Sequence, residues 1–414
     1  VRIVNAGQVL RGRLLCPRPA EARVDEIADG LITVDAAGRI TAVEVATAGC
    51  EVAETYPGAA LLPGFVDTHV HFPQTRVLGS ASGPLLPWLE RSVFPEEARF
   101  AAPTYAAAVA VEFCDALIRQ GTTCASIYSS SHPVAAELLF AALDERGLRG
   151  LAGLTLMDRG APSAVLLAAD EAIAACESLI ERWHGHDAGR LRFCVTPRFA
   201  LSCTPGLLRA AGRLAERHGL AVQTHLAENH AEIAATAQVF ADARDYLAVY
   251  EDHGLGGSRA LFAHCIHLSE GAWDRVAAQD AAVAHCPDSN FFLGSGCMPL
   301  RAATGRGIRV GLGTDVGAGR SFSLRQVMAA AYDASLIVGA PATAEALLWH
   351  ATRGGARALG LAGAIGCLAP GFEADIVAID VPAGASGPAL FDALAFRRDA
   401  GPVRATLVRG RPLR

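Results

Sequence analysis

A chain of 414 residues exceeds one ordinary globular unit but suits an α/β barrel with a small appended domain, and 51% hydrophobic against 19% charged residues excludes a disordered protein. The formal charge of −6 gives no basic footprint for nucleic acid, and since all 36 basic residues are arginine, lysine chemistry is excluded as well. The 11 cysteines form no C-x-x-C pair, and Cys114, Cys124 and Cys194 sit inside apolar runs, a pattern of buried free thiols in a reducing compartment.

The amino end, VRIVNAGQVLRGRLLCPRPAEARVDE, lacks a basic patch followed by an apolar signal-like run. No segment offers eighteen charge-free apolar residues, so a soluble cytoplasmic protein is expected, with no membrane partner. Residues 1–60 contain short alternating runs such as GRITAVEV, and residues 365–414 repeat that style in ADIVAIDV and VRATLVRGRPL. Short strands broken by glycine, proline and aspartate predict a small β-sandwich-like domain formed by both chain ends.

Residues 61–364 alternate apolar runs with alanine- and leucine-rich segments. The strand candidates are LLPGFVD, TTCASIY, GLAGLTLM, LRFCVT, LAVQTHL, ALFAHC, AAVAHC and RVGLGTD. Between them, AAPTYAAAVAVEFCDALIRQG and PGLLRAAGRLAERHGL have the apolar spacing and terminal glycines of amphipathic helices. Eight such repeats predict a (β/α)8 TIM barrel, and no G-x-G-x-x-G opens a helix after a strand to favour an open doubly wound sheet. After the first strand comes a long insert, FPQTRVLGSASGPLLPWLERSVFPEEARF, whose length at a barrel mouth suits a functional lid. Trp88 lies in it, in a packing role or as a cap on the site.

Barrel active sites form where strands end at their carboxyl side. PGFVDTHVHFPQ places His69 and His71 two apart, hence on one side of a strand. TPRF puts Arg198 at the mouth, THLAEN gives His225 and Glu228, ALFAHC ends near His264, and GLGTD brings Asp315. Three imidazoles and a carboxylate, His69, His71, His225 and Asp315, suit zinc or ferrous iron with an open position for water. Asp315 would also accept the water proton, His264 would orient the nucleophile or stabilise charge, and Glu228 would shuttle protons.

PGFVDTHVHFPQT, FPEE, TPRFALSC, THLAEN, HCPDSN and GLGTDVGAG, in this order over nearly the whole chain, resemble the guanine deaminases of the amidohydrolase superfamily. The resemblance implies a (β/α)8 barrel with a small β domain, one zinc per chain, a homodimer, and hydrolysis of guanine to xanthine and ammonia. It assigns the zinc to His69, His71, His225 and Asp315, and the guanine contacts to Gln74, Arg198, Phe199 and Glu228, with His264 and Asp315 also at the substrate. Catalysis would fall to Glu228, His264 and Asp315. Lysine-bridged binuclear sites of the superfamily are ruled out by composition, which leaves a mononuclear site as the simpler expectation. Asp288 in HCPDSN stands where an asparagine is expected. Related substrates such as 8-oxoguanine or a pterin, and a non-catalytic scaffold with the same fold, are the alternatives.

Overall fold

The computed structural model describes residues 7–47, 52, 54–81, 83–397 and 401–413. Its first strands are β1 (Gln8–Pro17), β2 (Val24–Val34), β3 (Ile40–Val45) and β4 (Glu54–Pro63). The central run is β5 (Phe65–His71), β6 (Thr122–Tyr128), β7 (Arg149–Gly153), β8 (Thr155–Leu156), β9 (Leu191–Pro197), β10 (Ala221–Leu226), β11 (Ala260–His264), β12 (Ala282–His285) and β13 (Arg309–Leu312). Last come β14 (Ile376–Asp380), β15 (Val403–Val408) and β16 (Arg411–Pro412).

The central strands pair in parallel in the order β13-β12-β11-β10-β9-β7-β6-β5, with β8 on β9. Two hydrogen bonds join the ends of that order: the Asp315 N–H donates to the His69 carbonyl at 2.8 Å, and the His71 N–H to the Val316 carbonyl at 3.1 Å. The result is a nearly closed barrel. Its strands are covered on both faces, which is why β5 and β6 are buried at every position and read as continuous apolar runs. The period of two still sorts side chains: Leu261 and Ala263 of β11 fill the barrel, while Ala260 and Phe262 pack outward under the helices.

Those helices start and stop as their sequences indicate. Helix Pro205–His218 begins at Thr204, whose hydroxyl accepts from the Leu207 N–H, and ends on Gly219 in the left-handed region at φ 63°. Helix Pro103–Arg119 opens on proline and gives way to Gly121 at φ 80°. Among the described residues no single helix is long and apolar enough to cross a membrane. The described cysteines are all free, and most are buried.

The chain ends build one seven-stranded sheet in the order β16-β15-β14-β4-β1-β2-β3. The predicted strand LLPGFVD turns out to serve both sheets. Leu61, Leu62 and Pro63 end β4 and pair with β14, whereas Phe65 begins β5 and pairs with β6. Gly64 makes the change, since a Cβ there would come within 2.2 Å of the Thr123 side chain. GLAGLTLM is likewise divided into β7 and β8, with Gly153 pressed on the Cys194 carbonyl where a Cβ would lie at 1.8 Å. The insert forms consecutive helical turns, Leu85–Trp88, Leu89–Val93, Phe94–Glu97 and Ala98–Ala101. Its Leu85, Trp88, Leu89 and Phe94 pack with Met157, Phe199, Leu293 and Ala318 at the carboxyl end of the barrel.

Candidate metal centre and active site

His69 and His71 leave β5 on the same side, as their spacing requires, and their Nε2 atoms lie 3.2 Å apart. His225, from β10, places its Nε2 3.2 Å from that of His71. Asp315, just past β13, brings Oδ1 to 3.2 Å from His69 Nε2 and 3.3 Å from His71 Nε2. Donors around a tetrahedral ion at about 2.0 Å sit about 3.3 Å from one another, so this cluster has the dimensions of a cation site. Its chemistry fits as well: His225 directs Nδ1 at the Arg198 carbonyl, which fixes the tautomer and leaves the Nε2 lone pair for a metal. Burial depresses the pKa of all three imidazoles, holding His71 down at about 3, so they are neutral ligands at physiological pH.

The backbone around these groups is held under constraint. Ala227, His264, Cys265 and Asp315 have φ of 50°, 69°, 51° and 51°, values that side-chain-bearing residues adopt only when their surroundings dictate it. Asp67, two residues before His69, supplies one such tie. It accepts from the His69 N–H at 3.2 Å, the Thr314 N–H at 3.0 Å and the Thr314 hydroxyl, locking the Asp315 turn against β5. Tyr128 forms the wall behind the imidazoles, with ring centroids 4.8 Å from His69 and 4.5 Å from His71.

Beside the cluster stand the groups expected to move protons. Glu228 is outside the four-residue cluster, and its Oε2 lies 3.5 Å from His264 Nε2. Burial, reinforced by the negative charges of Asp315 and Glu232, pushes its pKa well above the usual carboxylic range, which favours the protonated form. Burial alone would raise Asp315 too, but the imidazoles of His69, His71 and His264 outweigh it and hold Asp315 well below that range. Two carboxyl groups in one cavity are thus pushed in opposite directions. His264 directs Nδ1 to Asn290 Oδ1 at 2.9 Å and points an unpartnered Nε2 at the site, 3.7 Å from Asp315 Oδ2.

The other wall of the cavity comes from Gln74, Arg198 and Phe199 together with Leu85, Trp88, Leu89 and Leu293. The structure therefore brings together every residue singled out in the sequence: His71, Gln74, Arg198, Phe199, His225, Glu228 and Asp315 line the cavity, with His69 and His264 directly behind. Trp88 combines both expected roles, buried with its indole N–H on the Ser80 carbonyl at 2.8 Å and its ring on the cavity.

Other residues were not legible as site residues. Asn290 and Ser295 steady His264 and Glu228, the latter at 3.3 Å; Asn290 ends the motif HCPDSN, and nothing in the local sequence marks Ser295. Glu97 accepts two hydrogen bonds from Arg198 Nη1, at 2.9 and 2.6 Å, through an approach visible only in three dimensions. Asp288, the departure from the expected asparagine, has its own partner: it accepts from the Arg320 N–H at 2.7 Å and pairs with the Arg320 guanidinium, bracing the turns after β12 and β13. A second group, His264, Cys286 and Asp315, shares Asp315 with the main cluster.

Residues 60–413 match the amidohydrolase family. Guanine deaminase of Escherichia coli strain K12 is 40% identical over 326 residues, 78% of this chain and 74% of the relative. A probable guanine deaminase of Deinococcus radiodurans is 43% identical over 371 residues, 86% of this chain and 84% of the relative. The crystal structure of guanine deaminase from C. acetobutylicum, with guanine bound in its active site, is 28% identical and matches with a TM-score of 0.91 over 99% of this chain and 100% of that one. The chain accordingly belongs to the amidohydrolase family, and within it to the guanine deaminases.

Proposed function

We propose that this protein hydrolyses the 2-amino group of guanine, releasing xanthine and ammonia, with one zinc ion held by His69, His71, His225 and Asp315. The observation that carries this reading is the meeting, in one cavity, of a four-donor cation cluster, Glu228 with its raised pKa, and the Arg198 and Gln74 side chains. A divalent ion in such a cluster acidifies water to a pKa of about 7 and so supplies a hydroxide nucleophile near neutrality.

The side chains account for the proton movements. Asp315, held ionised, accepts the proton of the attacking water, and Glu228 delivers its own to N3, which makes C2 electrophilic. His264 Nε2, kept free by the Asn290 contact on the opposite ring nitrogen, faces the charge that develops when C2 becomes tetrahedral. The C2–N bond then breaks as the proton taken up by Asp315 leaves with the amino group as ammonia, and the C2 hydroxyl gives its proton to Glu228, which restores the acid and leaves the carbonyl of xanthine. Arg198 offers only donors and suits the O6 acceptor, whereas the Gln74 amide suits an edge with both donor and acceptor. Phe199 and Trp88 supply aromatic surface for the purine faces.

Zinc as the ion and a homodimer as the assembly complete the proposal; both rest on the family resemblance, and elemental analysis and light scattering test them. The test of the activity is ammonia release from guanine, 8-oxoguanine, isoxanthopterin and cytosine at matched concentrations. Guanine is expected to give the highest kcat/KM, and a higher value for any of the others overturns the assignment.

A further inference from the structure

Glu97 is absent from the cavity wall, yet both polar side chains facing a purine's oxygen edge are held through it. It lies in the insert's turn Phe94–Glu97 and is only 2% exposed. The neighbouring acid points elsewhere, Glu96 engaging Arg99 and Tyr105, so the two halves of the Glu-Glu pair serve different partners. Both oxygens of Glu97 take Arg198 Nη1, at distances typical of charge-assisted hydrogen bonds, and Oε1 also accepts from Gln74 Nε2 at 3.4 Å. Gln74 in turn accepts the Gly317 N–H at 3.0 Å, which links the insert to the turn after β13. Among the described residues no protein acceptor reaches Arg198 Nε or Nη2, so that edge of the guanidinium is free to meet a ligand.

Two consequences follow from this arrangement. Glu97 aims the free edge of Arg198, and its charge cancels that of the guanidinium, so the cavity presents a strong donor without a net cation. A buried charge deprived of its partner draws compensation from whatever can supply it, and an anionic ligand is such a source. Guanine is neutral near pH 7, whereas more highly oxidised purines lose a ring proton more readily.

We propose that Glu97 is a positioning residue that gives the cavity its preference for a neutral oxopurine and against anionic ones, including the ionised product. The proposal rests on the reading of Arg198 as the O6 donor. In a zinc-loaded Glu97→Gln enzyme, KM for guanine should rise about 10-fold with kcat changed far less, and inhibition by urate, a monoanion at neutral pH, should strengthen about 10-fold. Glu97→Asp restores the charge but not the reach, so urate inhibition should return to the parental level while KM stays raised. In urate inhibition the double variant Glu97→Gln/Arg198→Met should behave as Arg198→Met alone, because Glu97 sets that preference through Arg198.

A purely structural ion pair gives a different pattern: a lower Tm with parental urate inhibition. That pattern overturns the proposal, and so does parental urate inhibition in Glu97→Gln at normal zinc content. If Glu97→Gln does not fold, strengthened urate inhibition in Glu97→Asp overturns it instead. The two readings fail separately. Parental guanine kcat/KM in Arg198→Met removes Arg198 from the substrate, whereas a large loss there with parental KM and urate inhibition in Glu97→Gln removes Glu97 only.

Discussion

The two walls of the cavity are built in opposite ways. On the cation side, His69, His71 and His225 stand on strands and Asp315 follows one directly, so the barrel's own hydrogen bonds fix their separations at 3.2–3.3 Å. On the opposite side, Gln74, Phe199 and Trp88 come from turns and the insert, and Arg198 is placed by a glutamate 101 positions earlier in the chain. A site that needs donors at fixed spacing uses the most rigid part of a parallel barrel, while one that selects among similar ligands uses segments free to vary without disturbing it. The insert, which packs its apolar face on the cavity, is where substrate preference can change while the cluster stays intact.

Substitutions can break this division, beginning with the cluster. His69→Ala removes one of four donors, and both metal retention and turnover should fall to background; a variant holding a full equivalent of zinc with parental turnover removes His69 from the ligand set. Chelation of the parent should give the same loss, reversed by zinc, and two tightly held ions in a fully active sample would contradict the mononuclear site.

Glu228→Gln keeps the shape and removes the transferable proton. Metal content should be unchanged while kcat falls by about 10²-fold or more, and a near-parental kcat takes Glu228 out of the chemistry. On the opposite wall, Arg198→Met should lower guanine kcat/KM by about 10²-fold, close to 3 kcal/mol, with zinc content retained. Loss of stability with unchanged kcat/KM would make Arg198 part of the frame, and the contrast between the walls would then disappear.

The smallest effect concerns a histidine that ends a strand yet belongs to neither wall. His285 closes β12, is fully buried, and among the described residues finds no hydrogen-bond partner for either ring nitrogen. Burial, helped by His350 and His264, holds its pKa down at about 3. Its neutral form is therefore favoured by the fold, so the contribution to stability is complete above the ordinary imidazole range near 6.5 and is lost as pH falls from there toward about 3, where the unfolded chain takes up the extra proton. Tm measured between pH 7 and pH 4 should fall with acid, and less steeply in His285→Leu, by at most about 1.4 kcal/mol per pH unit. An identical pH slope in that variant would show that His285 does not contribute to acid sensitivity.

How much was legible follows the range of the interactions. The strand periodicity, the glycine stops at Gly121 and Gly219, and the two-residue spacing of His69 and His71 are local facts, and they sufficed for the barrel and half of the cation cluster. The rest of the cluster was found because polar residues recurred at strand ends, which a parallel barrel gathers on one face. What local sequence did not mark is the partner of each group. Asp67 reads as one more strand residue until its carboxylate meets Thr314, and Glu97 reads as one acid of the FPEE motif, without a partner to name, until it meets Arg198. His285 and His264 both end strands, yet only His264 faces the cluster, its Nδ1 fixed by Asn290. Gly64 changes sheets inside what looks like a single strand. Sequence by itself therefore determined which residue types stand at the mouth of which strand, because backbone periodicity is set by neighbours in the chain. Only the tertiary structure decided which acid has its pKa raised, which arginine is neutralised and which histidine faces the cavity, because charge and burial depend on groups that folding brings together from distant positions.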